Sequence, residues 1–252
     1  MHYVDSHIHI QDYKKQDVKN LVTNAMQYKI NTFVNVSSHP NDWGEIKHLA
    51  DMYRQIIPAY GVHPWYIHDA ENDWYQTLEH LIQESRSAWI GECGIDRLKN
   101  PNTSEQIEIF KQHIKLAQKY NRPLVVHAVK ADMIMRDLFF LLPQRTIFHS
   151  FTGSLEWGKE VQKHGFYIGL NQSVLHKKNN ERLICGLDFT QVLLETDGPY
   201  QSDDKSTETL PWRLPLLAEQ IAQILRIPLE ELQKMLYINW MNFMEKQHAS
   251  HT

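Results

Sequence analysis

Six residues that can ligate metal ions stand at the ends of short apolar runs in this sequence. They comprise four histidines, one glutamate and one aspartate: His7, His9, Glu92, His127, His149 and Asp197. Imidazole nitrogens and carboxylate oxygens without cysteine form a donor set that suits zinc, manganese or magnesium. Because one ion needs only three or four protein ligands, six donors predict two divalent ions (Mg, Mn or Zn) that share a carboxylate.

The first pair of histidines occurs in Asp5-Ser6-His7-Ile8-His9. On a β-strand, residues two apart point to the same side, so His7 and His9 can grip a single ion. An exposed edge strand that happens to carry two histidines is the alternative. Asp5 shares this face and is a candidate partner that orients the ligands.

The two carboxylates each have a role and an alternative. Glu92 lies within a strand-like run between Gly91 and Gly94, where a buried carboxylate needs a cation or a hydrogen-bond network. It would bridge two ions, or form a salt bridge instead. Asp197 directly follows an apolar run and could ligate an ion, accept a proton from water, or do both. Glu195 is interpreted as an orienting or structural carboxylate.

His127 and His149 each close an apolar run, and a hydrogen-bonded core histidine is the alternative for His127. The conjunction of all six residues is more informative than any one of them. Eight β-rich runs are predicted, and the candidate ligands end the first, fourth, fifth, sixth and eighth. The runs are Tyr3–Ile10, Asn31–Ser37, Ile56–Val62, Ala88–Gly94, Pro123–Ala128, Thr146–Ser150, Gly165–Gly169 and Gln191–Glu195.

Polar segments with helical periodicity separate these runs, and continuous apolar strands are typical of parallel sheets buried on both faces. The predicted helices include Gln16–Lys29, Asp42–Arg54, Thr103–Tyr120, Ser154–His164, Leu214–Leu225, Leu229–Leu236 and Trp240–Lys246. Eight alternations predict an α/β fold, a single (β/α)8 TIM-type barrel with extra C-terminal helices, forming one domain over 1–252. An open doubly wound sheet is the competitor, but no glycine-rich phosphate loop follows the first strand.

Composition narrows the functional classes. The formal net charge of −4 over 252 residues provides no global basic field, so nucleic acid would have to meet a local positive rim or the metals. Two cysteines do not suggest a disulfide framework. No secretory signal and no run long enough to span a membrane are recognisable. A cytoplasmic protein that does not interact with membranes is expected.

Six short motifs along the chain match those of a known protein family. The chain resembles the TatD family of metal-dependent deoxyribonucleases, within the amidohydrolase-like barrels. The motifs that carry the resemblance occur in the family's order and span nearly the whole chain. They are Asp5-Ser6-His7-Ile8-His9, Tyr60-Gly61-Val62-His63-Pro64, Gly91-Glu92-Cys93-Gly94-Ile95-Asp96, Pro123-Leu124-Val125-Val126-His127, His149-Ser150-Phe151-Thr152-Gly153-Ser154 and Leu194-Glu195-Thr196-Asp197-Gly198-Pro199-Tyr200.

The resemblance implies a role for each site residue. His7 and His9 would hold one metal with Asp197, and Glu92 would bridge to a second metal held also by His127 and His149. Catalysis would rest on Asp197 and Glu92. The implied activity is that of a 3'-5' exonuclease-like deoxyribonuclease, which cleaves phosphodiester bonds of single-stranded DNA or DNA ends through water activated by two metals.

Substrate contacts are predicted at four positions. The resemblance implies that His63 contacts the phosphate. The family's positive charge after the fifth strand is lost here or displaced to Lys130. Trp65 and Tyr200 could stack on bases, or they could be ordinary packing or exposed loop residues. Two other functions stay open: hydrolysis of another ester or amide, such as an aminoacyl-RNA ester, and a role in a multi-protein system such as anti-phage defence. Protein partners are possible but are not indicated by the sequence.

Overall fold

The computed structural model describes residues 1–99, 103–202 and 207–245. Strands and helices alternate along the chain. The strands are β1 Tyr3–Ile8, β2 Ile30–Val36, β3 Ile56–Tyr60, β4 Trp89–Asp96, β5 Leu124–Val129, β6 Thr146–Phe148, β7 Tyr167–Leu170 and β8 Val192–Leu194. The helices are α1 Val18–Gln27, α2 Trp43–Met52, α3 Trp74–Glu84, α4 Thr103–Tyr120, α5 Asp132–Leu138, α6 Leu155–Lys163, α7 Asn180–Gly186, α8 Arg213–Leu225 and α9 Leu229–Glu245.

The eight strands form one sheet in which each strand is hydrogen-bonded to the next in chain order. The pairs β3–β4, β4–β5, β5–β6 and β7–β8 are parallel. The first strand also lies against the last, because Ser6 Oγ donates to Leu194 O at 3.1 Å and Asp197 N donates to His7 O at 2.9 Å. This order and the intervening helices confirm the predicted α/β fold, the (β/α)8 barrel.

All eight predicted strands are present, and their ends differ by a few residues. The prediction that β1 includes His9 is wrong, because His9 has φ −114° and ψ 75° and leads into a short 3₁₀ helix, Ile10–Asp12. The fourth strand continues beyond its predicted end at Gly94. It does so because its pairing with β5 extends to Asp96, which lies opposite Val129.

The extra C-terminal helices are present, but their division is not as predicted. The segments Leu229–Leu236 and Trp240–Lys246 belong to one helix, α9, as far as Glu245; Lys246 lies outside the described residues. The intervening turn stays helical because Asn239 is buried there and its amide donates to Phe189 O and Val192 O. The polar residue therefore fastens the helix to the chain around β8.

Two compact units can be distinguished within the described residues. The first consists of Met1–Val34 and Ser150–Glu245, and the second includes Asn35–His149. Each has its own buried apolar side chains, such as Leu21 and Ile221 in the first and Ile46 and Phe110 in the second. The prediction of one domain over 1–252 stays a prediction.

Within the described ranges, no helix has both the length and the hydrophobicity needed to cross a bilayer.

Candidate metal centre

The first unit brings His7, His9 and Asp197 together. The Nε2 atoms of the two histidines are 3.1 Å apart. Asp197 Oδ1 lies 3.6 Å from His7 Nε2 and 3.4 Å from His9 Nε2. All three residues are buried. We call these residues the first ligand group.

The backbone holds the first ligand group in place. Asp197 adopts the left-handed conformation, with φ 55°, and its N–H donates to His7 O at 2.9 Å. The N–H of His9 donates to Gly198 O at 2.7 Å. These two hydrogen bonds join the end of β1 to the segment that follows β8, so the ligands converge although β1 ends before His9.

Asp5 and Glu195 are buried carboxylates that accept hydrogen bonds from residues close to the first ligand group. The Asp5 carboxylate accepts hydrogen bonds from Thr196 N at 2.9 Å, Thr196 Oγ1 at 2.6 Å and His7 N at 3.4 Å. Burial raises the pKa of Asp5 to about 7, although the hydrogen bonds from Thr196 oppose the rise. Glu195 Oε1 accepts from Ser150 N at 2.5 Å. Both carboxylates thus fasten backbone next to the ligands.

The second unit gathers four site residues around one oxygen. Glu92 Oε1 lies 2.6 Å from His149 Nε2, 2.8 Å from His127 Nδ1 and 3.4 Å from His63 Nε2. The ring nitrogens also face one another: His127 Nδ1 is 3.2 Å from His63 Nε2 and 3.3 Å from His149 Nε2. We call these four residues the second ligand group.

Glycines allow β4 to approach its neighbour closely enough to build this group. Gly94 has φ 143° and lies opposite His127 in the β4–β5 pairing. A Cβ atom at Gly94 would collide with the carbonyl oxygen of His127. Only glycine fits at this position, because a side chain meets both a strained backbone conformation and a close backbone neighbour.

The electrostatics of the second ligand group suit a cation. Burial alone would raise the pKa of Glu92, but His149 and His63, with hydrogen bonds from His127 and His149, hold that pKa well below its usual value. Burial lowers the pKa of His63 to about 4, against the opposing effect of Glu92. The pKa of His127 is raised: burial works against its charged form, but hydrogen bonds to Asp96 and Glu92 prevail.

Asp96 is a site residue whose role the sequence analysis did not assign. Its Oδ2 atom lies 3.1 Å from His127 Nε2, so the ring of His127 spans from Glu92 on one side to Asp96 on the other. Asp96 belongs to a family motif, but only the fold brings its carboxylate to this imidazole. A metal-ligating histidine commonly donates its second N–H to such a carboxylate.

The predicted substrate residues lie in different settings. His63 belongs to the second ligand group itself. Trp65 is 46% exposed and Tyr200 is 50% exposed. Their rings meet site histidines edge-on: Trp65 contacts His63 at a centroid distance of 5.0 Å, and Tyr200 contacts His9 at 5.4 Å. Lys130 is an exposed residue after β5, with φ 54°.

The donor sets fit divalent ions. The ligand atoms of His7, His9 and Asp197 all lie within 4.8 Å of one another, and the same holds for His63, Glu92 and His127. Ring nitrogens face each other at close range beside a carboxylate oxygen in both sets, an arrangement that a shared cation satisfies. The residues can therefore hold ions of the zinc, manganese or magnesium type.

Comparison with known proteins identifies the family. The family model described as TatD related DNase matches residues 4–245. An uncharacterized metal-dependent hydrolase of Methanocaldococcus jannaschii is 31% identical over 250 residues, covering 97% of this chain and 98% of its own. The 3'-5' ssDNA/RNA exonuclease TatD of Edwardsiella piscicida is 28% identical over 222 residues, covering 82% of this chain and 85% of its own.

Solved structures show the same fold. The crystal structure of YJJV, a TatD homolog from Escherichia coli, superimposes with a TM-score of 0.89 at 20% identity, covering 96% of this chain and 97% of the other. At that identity the likeness concerns the fold alone. The family model and the archaeal relative, each matched over nearly the whole chain, show that this protein belongs to the TatD family of metal-dependent hydrolases.

Proposed function

We propose that this protein is a divalent-metal-dependent deoxyribonuclease that hydrolyses phosphodiester bonds of single-stranded DNA or DNA ends, removing nucleotides from the 3' end. One observation carries the proposal: each unit contains a buried group of histidines and a carboxylate whose ligand atoms lie within 4.8 Å of one another. We assign one ion to the first ligand group and one to Glu92, His127 and His149 of the second, with His63 left to contact the substrate phosphate. The family resemblance supports their joint action on one phosphodiester.

Bound divalent ions would lower the pKa of water towards neutrality and stabilise the charge that develops on the phosphate oxygens. Asp197 is the residue suited to accept the proton. Its two oxygens have different surroundings, because Oδ1 faces His7 and His9 while Oδ2 accepts from Gln201 Nε2 at 3.2 Å. Fixing Oδ2 through Gln201 orients the carboxylate, and Oδ1 is the atom turned towards the ligands.

Glu92 supplies the negative charge of the second ligand group. A single oxygen, Oε1, is directed at the nitrogens of three histidines, so it is the oxygen that would bind an ion there. With its pKa held low, Glu92 is ionised at neutral pH and needs no proton loss before it binds metal. The bridging role that the sequence analysis predicts for Glu92 stays a prediction.

Four residues are assigned to the substrate. His63 and Lys130 would contact phosphate, and the exposed rings of Trp65 and Tyr200 would stack on bases. Tyr200 is already held, because its hydroxyl donates to Asp12 Oδ2 at 2.8 Å. Stacking on an aromatic ring tolerates any base, because every base has a flat π-face. These contacts suit a nucleic acid strand that is recognised by its phosphates and the flat faces of its bases, and not by its base sequence.

We expect the protein to bind single-stranded DNA in preference to duplex DNA because of its overall charge. A formal net charge of −4 provides no global basic field to attract a duplex. A strand end with unpaired bases needs only the metals, a few cations and the aromatic rings. The relative from Edwardsiella piscicida, named for 3'-5' ssDNA/RNA exonuclease activity, supports the same substrate class.

The test is degradation of single-stranded and duplex oligonucleotides labelled at the 5' end, with Mg²⁺, Mn²⁺ or EDTA. We expect a ladder that shortens from the 3' end with metal, weaker cleavage of duplex, and no cleavage with EDTA. The matched control is Glu79→Gln, which removes a half-buried carboxylate outside both ligand groups that accepts from Lys119 and Tyr120 and should leave cleavage unchanged.

A second arm offers p-nitrophenyl esters and an aminoacyl-RNA ester to the same preparation. Metal-dependent hydrolysis of these esters without oligonucleotide cleavage would overturn the nuclease proposal in favour of another ester substrate. Metal-loaded protein that cleaves neither, and co-purifies stoichiometrically with a partner, would instead favour a role within a complex.

A further inference from the structure

We propose that Asp96 is a positioning residue that joins metal binding to base recognition. It would fix the His127 imidazole for an ion of the second ligand group and, with the same oxygen, fix Trp65 as a stacking platform for a nucleobase of the substrate strand. The inference deepens the proposed function and rests on it for the substrate, whereas the part that concerns His127 depends only on ion binding.

The Asp96 carboxylate gathers donors from three different parts of the chain. Oδ2 lies 3.1 Å from His127 Nε2 and accepts from Trp65 Nε1 at 2.8 Å. Oδ1 accepts from Leu98 N at 2.8 Å and Lys99 N at 3.0 Å. Asp96 is only 3% exposed, so these hydrogen bonds are shielded from water. A buried carboxylate with this many donors is held in one orientation.

The backbone of Asp96 is fixed as firmly as its side chain. The backbone N–H of Asp96 donates to Gln106 Oε1 at 2.8 Å, and Gln106 Nε2 donates back to Asp96 O at 3.2 Å. Gln106 is itself buried, on α4. The carboxylate thus projects from a strand end whose backbone is held by the following helix, α4, which suits a residue that sets the positions of others.

For His127, the consequence is a defined tautomer. Acceptance by Asp96 would keep an imidazole proton on Nε2, so that Nδ1 would be the nitrogen whose lone pair binds an ion of the second ligand group. Nδ1 is the nitrogen that lies beside Glu92 Oε1. Loss of the acceptor would free the ring to rotate and to take the other tautomer, and supporting contacts of this kind typically change metal affinity by about 10- to 100-fold.

For Trp65, the consequence is an exposed ring that is oriented before substrate arrives. The indole N–H is tied to Asp96, the ring edge meets His63 at 87° between planes, and Lys99 Nζ lies 5.0 Å from the ring centroid. An aromatic ring with a cation beside it is the combination that binds single strands, with the ring for the base and the charge for the adjoining phosphate.

The variant Asp96→Asn tests the joint role sharply, because the two shapes are nearly the same. Asp96 offers acceptors on both oxygens, whereas an asparagine amide has one acceptor oxygen and one donor group. Either orientation of the amide therefore leaves two of the four donors facing another donor. The backbone N–H groups of Leu98 and Lys99 can only donate, whereas the imidazole can change tautomer and accept, so the amide oxygen is expected to stay with the backbone donors and the amide NH₂ to face His127 and Trp65.

The first arm measures ion binding without any nuclease reaction. Mn²⁺ and Zn²⁺ affinities are determined by competition with a chromophoric chelator for wild type, Asp96→Asn and Trp65→Phe. We expect a loss of about 10- to 100-fold at one ion site in Asp96→Asn and no change in Trp65→Phe. The matched control is Asp12→Asn, which removes the carboxylate that holds Tyr200 and should bind ions as wild type does. Wild-type ion affinity in a folded Asp96→Asn protein would overturn the proposal.

The second arm compares a single-stranded oligonucleotide with the same strand carrying abasic residues at its 3' end. In Trp65→Ala we expect KM to rise about 10-fold for the intact strand and to stay unchanged for the abasic strand, with kcat affected less than KM. Trp65→Phe should recover part of the loss, because it keeps a ring but lacks the anchoring N–H. An equal rise for both strands would refute the platform.

The two arms fail independently. Absence of cleavage by the wild-type protein would refute the proposed function and with it the substrate half of this inference, while the chelator competition would still decide the role of Asp96 at His127. If Asp96→Asn does not fold, Trp65→Phe and Trp65→Ala still test the platform, and Asp96→Glu, which keeps the charge but displaces the carboxylate from His127 by one methylene, must show the ion-affinity loss.

Discussion

Replacing Gly94 with alanine should damage both the folding stability and the ion binding of this protein, whereas the same replacement at Gly44 should stabilise it. Gly94 has φ 143°, a conformation that side-chain-bearing residues rarely adopt, and its added Cβ would collide with His127 O and lie 3.0 Å from His127 C. Gly44 is exposed on α2, and a Cβ there meets nothing within 4 Å.

The magnitudes follow from these two settings. At Gly94, forcing alanine into a glycine-only conformation costs about 1–3 kcal/mol, and relieving the collision costs about as much again. We therefore expect the free energy of unfolding to fall by about 3 kcal/mol or more. At Gly44, alanine in an open helical position should raise the free energy of unfolding by about 0.5 kcal/mol.

The functional consequence of Gly94→Ala comes through its neighbour. Separating the new Cβ from His127 O requires a backbone shift of about 1 Å, judged from ordinary contact distances. Because His127 Nδ1 lies only 2.8 Å from Glu92 Oε1, such a shift opens the second ligand group. Ion affinity there should fall by about 10- to 100-fold.

The assay is urea unfolding of wild type and both variants, with chelator competition for Mn²⁺ on the folded proteins. Gly44→Ala controls for the general effect of adding a methyl group. Two results would refute the reasoning: a Gly94→Ala protein as stable as wild type, or one that is destabilised yet binds ions with unchanged affinity.

Three further predictions concern pH, a supporting hydroxyl and the ions. Burial lowers the pKa of His113 to about 4 in the folded protein, whereas the pKa of this residue in the unfolded chain is near 6.5. As the pH falls, the unfolded chain therefore takes up the proton first. The contribution of neutral His113 to the free energy of unfolding is complete above pH 6.5 and is lost towards pH 4. Urea unfolding should show a decline over that interval that is smaller by about 3 kcal/mol in His113→Gln than in wild type, and equal declines would contradict the assignment. Thr196→Val removes the Oγ1 hydrogen bond to Asp5 at 2.6 Å and should lower the free energy of unfolding by about 1–3 kcal/mol, measured by urea midpoint; an unchanged midpoint would argue against that contact. Thermal melting with Mn²⁺ at about 100 times its dissociation constant should occur roughly 10–20 °C above melting in EDTA, since ion binding stabilises by about 2.7 kcal/mol at each of the two sites; identical melting temperatures would speak against ion binding.

Much of the candidate site could be predicted because its chemistry follows strand ends. His127 and His149 close apolar runs, and residues that follow the carboxyl ends of the strands in an α/β barrel lie at the same end of the barrel. The prediction depended little on exact boundaries. His9 lies outside β1, yet its Nε2 is 3.1 Å from that of His7, because Gly198 O fixes the turn after the strand.

The features that sequence reasoning did not find depend on contacts between distant residues. Asp96 accepts from Trp65, 31 positions away, and lies beside His127, also 31 positions away, so no local pattern reveals its role. Helices α3, α5 and α7 were not among the helices named from the sequence. In α9, the buried amide of Asn239 is satisfied by Phe189 O and Val192 O, which lie far away along the chain.

The central claim is that each ligand group holds its own divalent ion, and the count of bound ions per chain tests it most directly. Equilibrium dialysis against Mn²⁺, with metal and protein measured in the same sample, would be applied to wild type, His9→Ala and His149→Ala. We predict about two ions per chain for wild type and about one for each variant, with both variants folded. One ion or none in the wild type, or two ions retained in both variants, would contradict the account.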